Sequence, residues 1–361
     1  MGKKLRWYCG SVALSSFSWQ HQSKDRQEEK TMARKIYGTI RDTNTGKGVK
    51  GLRVEAWDDD YPDGDDFMGS ATTDANGNFK ISYSGGHWDP SVSHRVTIWR
   101  PDIYIRVLTR NATGQWVKLA KSGVHSDHKL ENDLQIDLDV EIKKPVSKKT
   151  PFDPSQHGFH FANSFTVRAD ILKGVDLRSW RMGFCGGMVA AALHRFKKGE
   201  SLPADTRPPA PGTALYDELL GRQIKTLMKP NIILDTIYDW QSAPDEGRWY
   251  RKHSIGWRTK REWWKLKNNL DNDKPTILVL IRVKGYFANP TRNHQVLAIG
   301  YDYQPTTKDL KIQVYDPNHP HETRTLSMNI GLPKSRLGAK DSTRRRLRGF
   351  FVNPNGDAAS S

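Results

Sequence analysis

Residues 183–196 read GFCGGMVAAALHRF, a run of small and apolar side chains that opens with Cys185. Such a run predicts a buried helix that begins near the cysteine. A cysteine at that position has two interpretations. It is a small apolar residue that suits a buried helix, or it is a nucleophile, because a helix N-terminus lowers the pKa of a thiol and favours the reactive thiolate. The surrounding sequence decides between them.

Around this stretch, residues 157–352 show helical patterns first and strand patterns afterwards. The helical patterns are CGGMVAAALHRFKK, ALYDELLGRQIKTLMK and TKREWWKLKNNLDN. The strand patterns are PTILVLIRV, NHQVLAIGYDY, LKIQVYDPN and RLRGFFV. Helices followed by a run of strands predict an α+β domain with an antiparallel sheet.

Three polar residues fall at the ends of these predicted elements. Cys185 begins a helix, His294 begins a strand and Asp316 ends the next strand. An imidazole beside a thiol takes its proton, and a carboxylate beside the imidazole holds the productive tautomer. The Cys185 backbone N–H is a candidate donor to an oxyanion, and Gly186 leaves room for an acyl group. The order thus predicts a Cys-His-Asp site.

The motifs GFCGGM, NHQVLAIGYDY and VYDPNHP together resemble the papain-like cysteine peptidases. They are most similar to bacteriocin-processing peptidases and to uncharacterised bacterial proteins with a CGGM…NHQVLAYGY…YDPNHP pattern. The resemblance covers about residues 157–352. It implies Cys185 as nucleophile, His294 as base and Asp316 as its orienting partner, with the amide of Asn318 as the alternative.

One departure from the papain-like pattern concerns the oxyanion site. Papain-like enzymes carry a glutamine shortly before the cysteine, and this chain reads DLRSWRMGFC there. The candidates to replace that donor, or to line the rim of the site, are Ser179, Arg181, Asn163 and Gly186. Loss of one oxyanion donor typically costs about 100- to 1000-fold in rate.

The expected function is therefore a thiol hydrolase, a cysteine peptidase or amidase, with an accessory β-sandwich. Two alternatives stay open. One is a catalytically inactive binding protein on the same fold, and the other is a thiol acyltransferase or transglutaminase-like enzyme that uses the same residues.

Residues 34–143 read as an all-β domain. Segments such as KIYGTIRD and LRVEAWDDD alternate apolar and polar residues, which predicts half-buried strands. Asn76–Gly77 predicts a hairpin between two of them. The run from KIYGTIRD through GKGVKGLRVEAWD to TTDANGNFKIS resembles the transthyretin-like and carboxypeptidase-regulatory-like β-sandwiches. That resemblance implies a folding, adhesion or positioning module, and the whole chain is predicted to have two domains.

The remaining segments are assigned from composition. Residues 1–33 are expected to be a disordered or untranslated extension, with the true start at Met1 or Met32. Residues 144–156, rich in Lys, Pro and Ser, are expected to form a linker, and residues 353–361 a disordered tail. The first segment lacks a convincing signal peptide, which favours a cytoplasmic over a secreted protein.

The chain has 57 Lys and Arg against 40 Asp and Glu, a formal net charge of +17. The expected partner is a peptide, an amide or an anionic polymer, and the positive charge favours the anionic polymer. The sequence shows no zinc-finger or RNP-like motif, which argues against nucleic acid as the primary partner. Two cysteines in different contexts exclude a Cys-rich zinc site, so no metal and no cofactor are expected. No stretch approaches the roughly 20 apolar residues of a membrane span.

Overall fold

The computed structural model describes residues 34–59, 64–83, 101–126, 132–168, 181–228, 233–246, 254–331 and 337–361. The chain divides into two compact units, Met1–Ile142 and Lys143–Ser361. The expected extension over residues 1–33, and with it the alternative start at Met32, lies outside the described residues.

The described part of the first unit consists of short strands in two sheets. They are β1 (Arg34–Asp42), β2 (Arg53–Asp58), β3 (Asp66–Thr72), β4 (Asn78–Tyr83), β5 (Ile103–Arg110), β6 (Trp116–Lys121), β7 (Leu134–Gln135) and β8 (Leu138–Val140). One sheet joins β4, β7 and β8 to β1, and the other has the order β3-β2-β5-β6. Alternate side chains, Ile36 and Ile40 of β1 and Val54 and Ala56 of β2 among them, are fully buried in one core that both sheets share.

The prediction of a β-hairpin at Asn76–Gly77 is wrong. The turn is present, with Gly77 at a φ of 80°, but β3 pairs with β2 whereas β4 pairs with β1 in the other sheet. The Ile40 N–H donates to the Gly77 carbonyl, and a Cβ on Gly77 would lie 2.4 Å from the Ile40 oxygen. The turn thus packs against β1 and carries the chain from one sheet to the other.

The second unit combines helices with a larger sheet. Its described helices are α1 (Pro154–His157), α2 (Cys185–Lys198), α3 (Ala214–Met228), α4 (Ile233–Ser242), α5 (Ile255–Asp271) and α6 (Gly356–Ala359). Its described strands are β9 (Val146–Lys149), β10 (Val167–Arg168), β11 (Arg181–Met182), β12 (Thr276–Ile281), β13 (His294–Gln304), β14 (Asp309–Tyr315), β15 (Thr323–Asn329), β16 (Lys340–Asp341) and β17 (Gly349–Val352). A 3₁₀ turn over Pro290–Arg292 precedes β13.

The strand β13 lies in the interior of this sheet and is covered on both faces. The sheet has the order β16-β15-β14-β13-β12-β17, with β9 also paired to β13. Leu297 and Ile299 pack in the core that contains α2, whereas Val296 and Ala298 pack in the core that contains α5. This explains why the run VLAI lacks polar alternation, because a strand buried on both faces needs apolar side chains at every position.

The expected linker and the expected disordered tail are both wrong, because each contains regular secondary structure. Within the expected linker at residues 144–156, β9 pairs with Gly300 to Tyr303 of β13, because strand pairing uses the backbone and leaves the Lys and Ser side chains at the surface. The expected disordered tail at residues 353–361 includes α6, where Ala359 is fully buried. The Arg222 guanidinium donates to the Ala359 carbonyl at 2.7 Å, which fixes the tail against α3.

Among the described residues, no helix combines the length and the apolar composition needed to cross a bilayer.

Candidate active site

Cys185 is the first residue of α2, a 14-residue helix. Phe184 precedes it and gives the helix no side-chain cap. A backbone N–H of the first turn is satisfied from outside the helix, because Gly187 donates to Gln223 Oε1 at 2.9 Å. The partly buried thiol therefore lies at the positive end of a helix dipole, which stabilises a negative charge.

The two glycines after the cysteine allow close packing of this helix end. A Cβ on Gly187 would lie 2.1 Å from the backbone oxygen of Leu219 in α3, and one on Gly186 would lie 2.4 Å from Nε2 of Gln295. Gly186 was expected to line the rim of the site. The structure instead buries it beneath Gln295, so its small size serves the contact between α2 and β13.

His294 and Asp316 meet because β13 and β14 are neighbours. Tyr315, the last residue of β14, lies opposite Leu297 of β13, so the chain that follows β14 passes beside the first residue of β13. His294 Nε2 and Asp316 Oδ1 are 2.7 Å apart, and both residues are buried. The carboxylate thus accepts the hydrogen bond of one ring nitrogen and leaves Nδ1 for another partner.

Cys185 lies beside His294, because the two residues border the same cavity and the thiol contributes to the raised pKa of the imidazole. The backbone N–H of Gln295 lowers the pKa of the thiol. The structure therefore brings the three predicted residues together, with His294 next to the thiol and hydrogen-bonded to the carboxylate.

Asn318, the alternative orienting residue, lies farther from the imidazole than Asp316. Its Nδ2 is 3.3 Å from His294 Nε2, and its backbone N–H donates to Asp316 Oδ1 at 2.9 Å. Its Oδ1 accepts from Nδ2 of Asn163 at 3.2 Å, which fixes the side-chain amide. When Nε2 carries a proton, the acceptor beside it is the carboxylate, so Asn318 supports Asp316 rather than replacing it.

The charges in this cluster favour an ionised pair. Burial raises the pKa of the Cys185 thiol, but the hydrogen bond and positive charge of His294 and the Gln295 N–H outweigh it, so the pKa is lowered overall. Burial lowers the pKa of His294, whereas the negative charge and hydrogen bond of Asp316, aided by Cys185, raise it to about 9. A thiolate beside an imidazolium is the state that both shifts support.

Asp316 itself stays ionised despite its burial. Burial raises the pKa of this carboxyl, but the charge and hydrogen bond of His294, the backbone N–H of Asn318 and the charge of Arg282 together lower it. A carboxylate that remains negative in a buried position is what an imidazolium requires as a neighbour.

The candidates for the missing oxyanion donor have different positions. Asn163 braces the site, because its Oδ1 accepts from the Phe184 N–H at 2.9 Å while its Nδ2 donates to Asn318. Its amide is therefore committed to joining the loop after β14 to the start of α2. Arg181 lies in β11 with an exposed side chain. Ser179 lies outside the described residues.

Sequence reasoning missed a buried polar layer beneath the thiol. Gln295 Nε2 donates to Thr226 Oγ1 at 3.1 Å, and Asn353 Nδ2 donates to Gln295 Oε1 at 2.8 Å. Gln223, which holds the Gly187 N–H, is also buried. The sequence feature that could have indicated this layer is the presence of amide side chains within mostly apolar segments. An amide that is buried there needs a hydrogen-bond partner.

A cavity of about 50 Å³ borders Cys185 and His294. Its apolar walls come from β11, α3, α4, β12 and the 3₁₀ turn, namely Met182, Leu227, Leu234, Ile237, Val279 and Pro290. Gly183, Gln223, Thr291, Asn293 and Gln295 complete the lining. The reactive residues thus adjoin a mostly apolar hollow.

Among the described residues, no group of three or more His, Cys, Asp or Glu side chains is arranged to hold a metal ion.

No family model matches the chain, and no curated protein matches it. Among solved structures it is similar to a 9R-lipoxygenase from Cyanothece PCC8801, with 15% identity and a TM-score of 0.20 over 85% of this chain and 45% of that chain. The major pilin subunit of Bacillus cereus shows 16% identity and a TM-score of 0.18 over 31% and 30%.

A DUF3823 family protein from Bacteroides uniformis shows 12% identity and a TM-score of 0.16 over 34% of this chain and 48% of that chain. The chain spans less than half the length of each of these three proteins. At such low TM-scores the similarities carry no argument about fold or function.

Proposed function

We propose that this protein is a thiol hydrolase that cleaves an amide or peptide bond with Cys185, His294 and Asp316, in a papain-like arrangement. The observation that carries the proposal is that Cys185 and His294 border one cavity, while His294 is hydrogen-bonded to Asp316. Cys185 lies at a helix N-terminus, and both pKa shifts favour the thiolate and the imidazolium.

The reaction needs only groups that this site contains, together with substrate and water. The Cys185 thiolate attacks the carbonyl carbon, so an S–C bond forms and the carbonyl electrons move to oxygen. As the intermediate collapses, the C–N bond breaks and the His294 imidazolium gives its proton to the departing amine. Water then attacks the thioester while His294 takes a proton from it, which releases the acid and restores the thiolate.

The oxyanion requires donors that point at it. The Cys185 N–H is among the first four amides of α2, which have no acceptor within the helix. This amide supplies one donor in the proposed mechanism. The segment before Cys185 lacks the glutamine that papain-like enzymes carry there. We therefore expect a rate about 100- to 1000-fold lower than that of an enzyme with two oxyanion donors.

The first unit has its own core and is proposed to act as an accessory module that positions the hydrolase or its substrate. The net charge of +17 is consistent with a substrate attached to an anionic polymer or surface.

A simple activated ester tests the proposal without knowledge of the natural substrate. With p-nitrophenyl acetate we expect a burst of nitrophenolate, an acetyl group on Cys185 by mass spectrometry, and continued turnover, all lost in Cys185→Ala. Acetylation without turnover would instead support a non-hydrolytic binding protein. Transfer of the acetyl group to added glycine ethyl ester, faster than to water, would identify an acyltransferase.

A further inference from the structure

The cavity beside Cys185 is an unfilled space lined mostly by apolar side chains. Leu234 and Ile237 of α4 and Val279 of β12 form its walls, and all three side chains are buried. Packed protein interiors rarely keep voids larger than a water molecule. An apolar hollow that opens on a nucleophile and its base is therefore a feature that a substrate group can occupy.

Its size restricts which group that is. An apolar cavity of about 150 Å³ binds benzene, and this one measures about 50 Å³. A branched aliphatic group of about three carbon atoms matches such a volume better than an aromatic ring does. Among the described residues that line it, only Cys185 and His294 can carry a charge, so a charged substrate group would find no partner among the other described side chains.

We infer that this cavity receives the side chain next to the attacked carbonyl and selects substrates with a short aliphatic group, such as valine, at that position. This inference rests on the proposed function, because it places the carbonyl at the Cys185 sulfur. Once the S–C bond has formed, the acyl group is held at Cys185, and Cys185 is itself part of the cavity lining. The group nearest the carbonyl is thus the one that reaches the apolar walls.

The test compares three N-acetyl amino acid chloromethyl ketones that differ only in the side chain of glycine, valine or phenylalanine. The thiolate attacks the chloromethyl carbon, so an S–C bond forms as the C–Cl bond breaks and chloride leaves. Rates of Cys185 alkylation are divided by the iodoacetamide rate of the same protein. Burial of each methyl or methylene contributes about fourfold, so we expect valine to exceed glycine by about 10- to 60-fold, and phenylalanine to show no gain.

Two variants link this preference to the cavity. Leu234→Ala enlarges the hollow, and we expect it to raise the phenylalanine rate at least about fivefold relative to valine. Leu266→Ala removes the same volume from a fully buried leucine in the core around α5, away from the cavity. We expect that control to keep the preference for valine.

The outcomes separate this inference from the proposed function. Iodoacetamide labelling of Cys185 at acidic pH would support the thiolate. If the valine and glycine chloromethyl ketones then react at the same rate, the inference about the cavity is overturned. If Cys185 is unreactive, the proposed function fails, and the cavity is tested in Cys185→Ala by saturation-transfer NMR with N-acetylvalinamide. Transfer to the valine methyl groups, lost in Leu234→Phe, would still support a cavity for aliphatic groups, and no transfer would refute it.

Discussion

The carboxylate of Asp316 controls the protonation of His294. It lies 2.7 Å from Nε2, and its charge is the main reason why the pKa of His294 reaches about 9 although burial lowers it. In Asp316→Asn we expect the pKa of His294 to fall below its value in the wild type, which NMR titration of the imidazole measures. The wrong tautomer should then reduce ester hydrolysis by about 10³- to 10⁴-fold.

Asn318→Ala is the matched control for this substitution, because it removes an uncharged group 3.3 Å from the same nitrogen. We expect less than about a 10-fold loss and a pKa of His294 that stays well above 6.5. A larger effect from Asn318→Ala than from Asp316→Asn would make the amide, and not the carboxylate, the orienting group.

The sequence could predict where the reactive residues lie along the chain, but not which side chains they contact in the folded protein. Cys185, His294 and Asp316 were identifiable because each lies at the end of a patterned segment, and the structure places them at those ends. Gln295 was not identifiable as a packing residue, because its contacts with Gly186 and Asn353 join three distant parts of the chain. Asn163 was expected to donate to an oxyanion, yet the structure uses its amide to hold Phe184.

The start of α2 depends on its contact with α3. A Cβ on Gly187 would meet the Leu219 backbone oxygen at 2.1 Å, and a backbone atom cannot move aside as a side-chain end can. We expect Gly187→Ala to lower the free energy of unfolding by about 1–3 kcal/mol and to slow ester hydrolysis, as measured by urea denaturation and by rate.

Gly221→Ala provides the control, since this exposed glycine of α3 has nothing within 4 Å of an added Cβ. There we expect a gain of about 0.5–1 kcal/mol, because alanine restricts the unfolded chain. Equal effects of the two substitutions would show that the close contact between α2 and α3 does not matter for stability.

Elements with a strong periodic pattern were predictable, and those formed by backbone pairing were not. The segments around α2, α3, α5, β12, β13 and β14 all carry a helix or strand signal in their own residues. The strand β9 has the sequence VSKK, which reads as a linker until β13 is present to pair with it. The helix α6 is only four residues long, and its burial depends on α2 and α3 lying beneath it.

The ionised pair alters how the free energy of unfolding depends on pH. The pKa of His294 is raised from 6.5 to about 9, so His294 alone contributes stability that is complete below pH 6.5 and is lost as pH rises to about 9. The pKa of Cys185 is lowered from 9.0, so Cys185 alone contributes stability that grows as pH rises toward 9. Over this window the two effects oppose each other, because a rise in pH removes the stability that protonated His294 provides and adds the stability that ionised Cys185 provides.

We therefore expect the wild type to change little in stability between pH 6.5 and 9, and Cys185→Ala to lose about 1–3 kcal/mol over the same range. Urea unfolding at several pH values, followed by circular dichroism, measures both. The double variant Cys185→Ala/His294→Gln removes the titrating imidazole and should restore the flat profile. A flat profile in Cys185→Ala alone would mean that His294 does not hold its proton in the folded protein.

The pH dependence of iodoacetamide labelling shows whether Cys185 and His294 form a thiolate–imidazolium pair. Labelling at Cys185, mapped by mass spectrometry to distinguish it from Cys9, is compared between the wild type and His294→Ala. We expect labelling of the wild type well below pH 7 and loss of that labelling in His294→Ala. Labelling that begins only near the free-thiol pKa of about 8.5, or that is the same in both proteins, would contradict it.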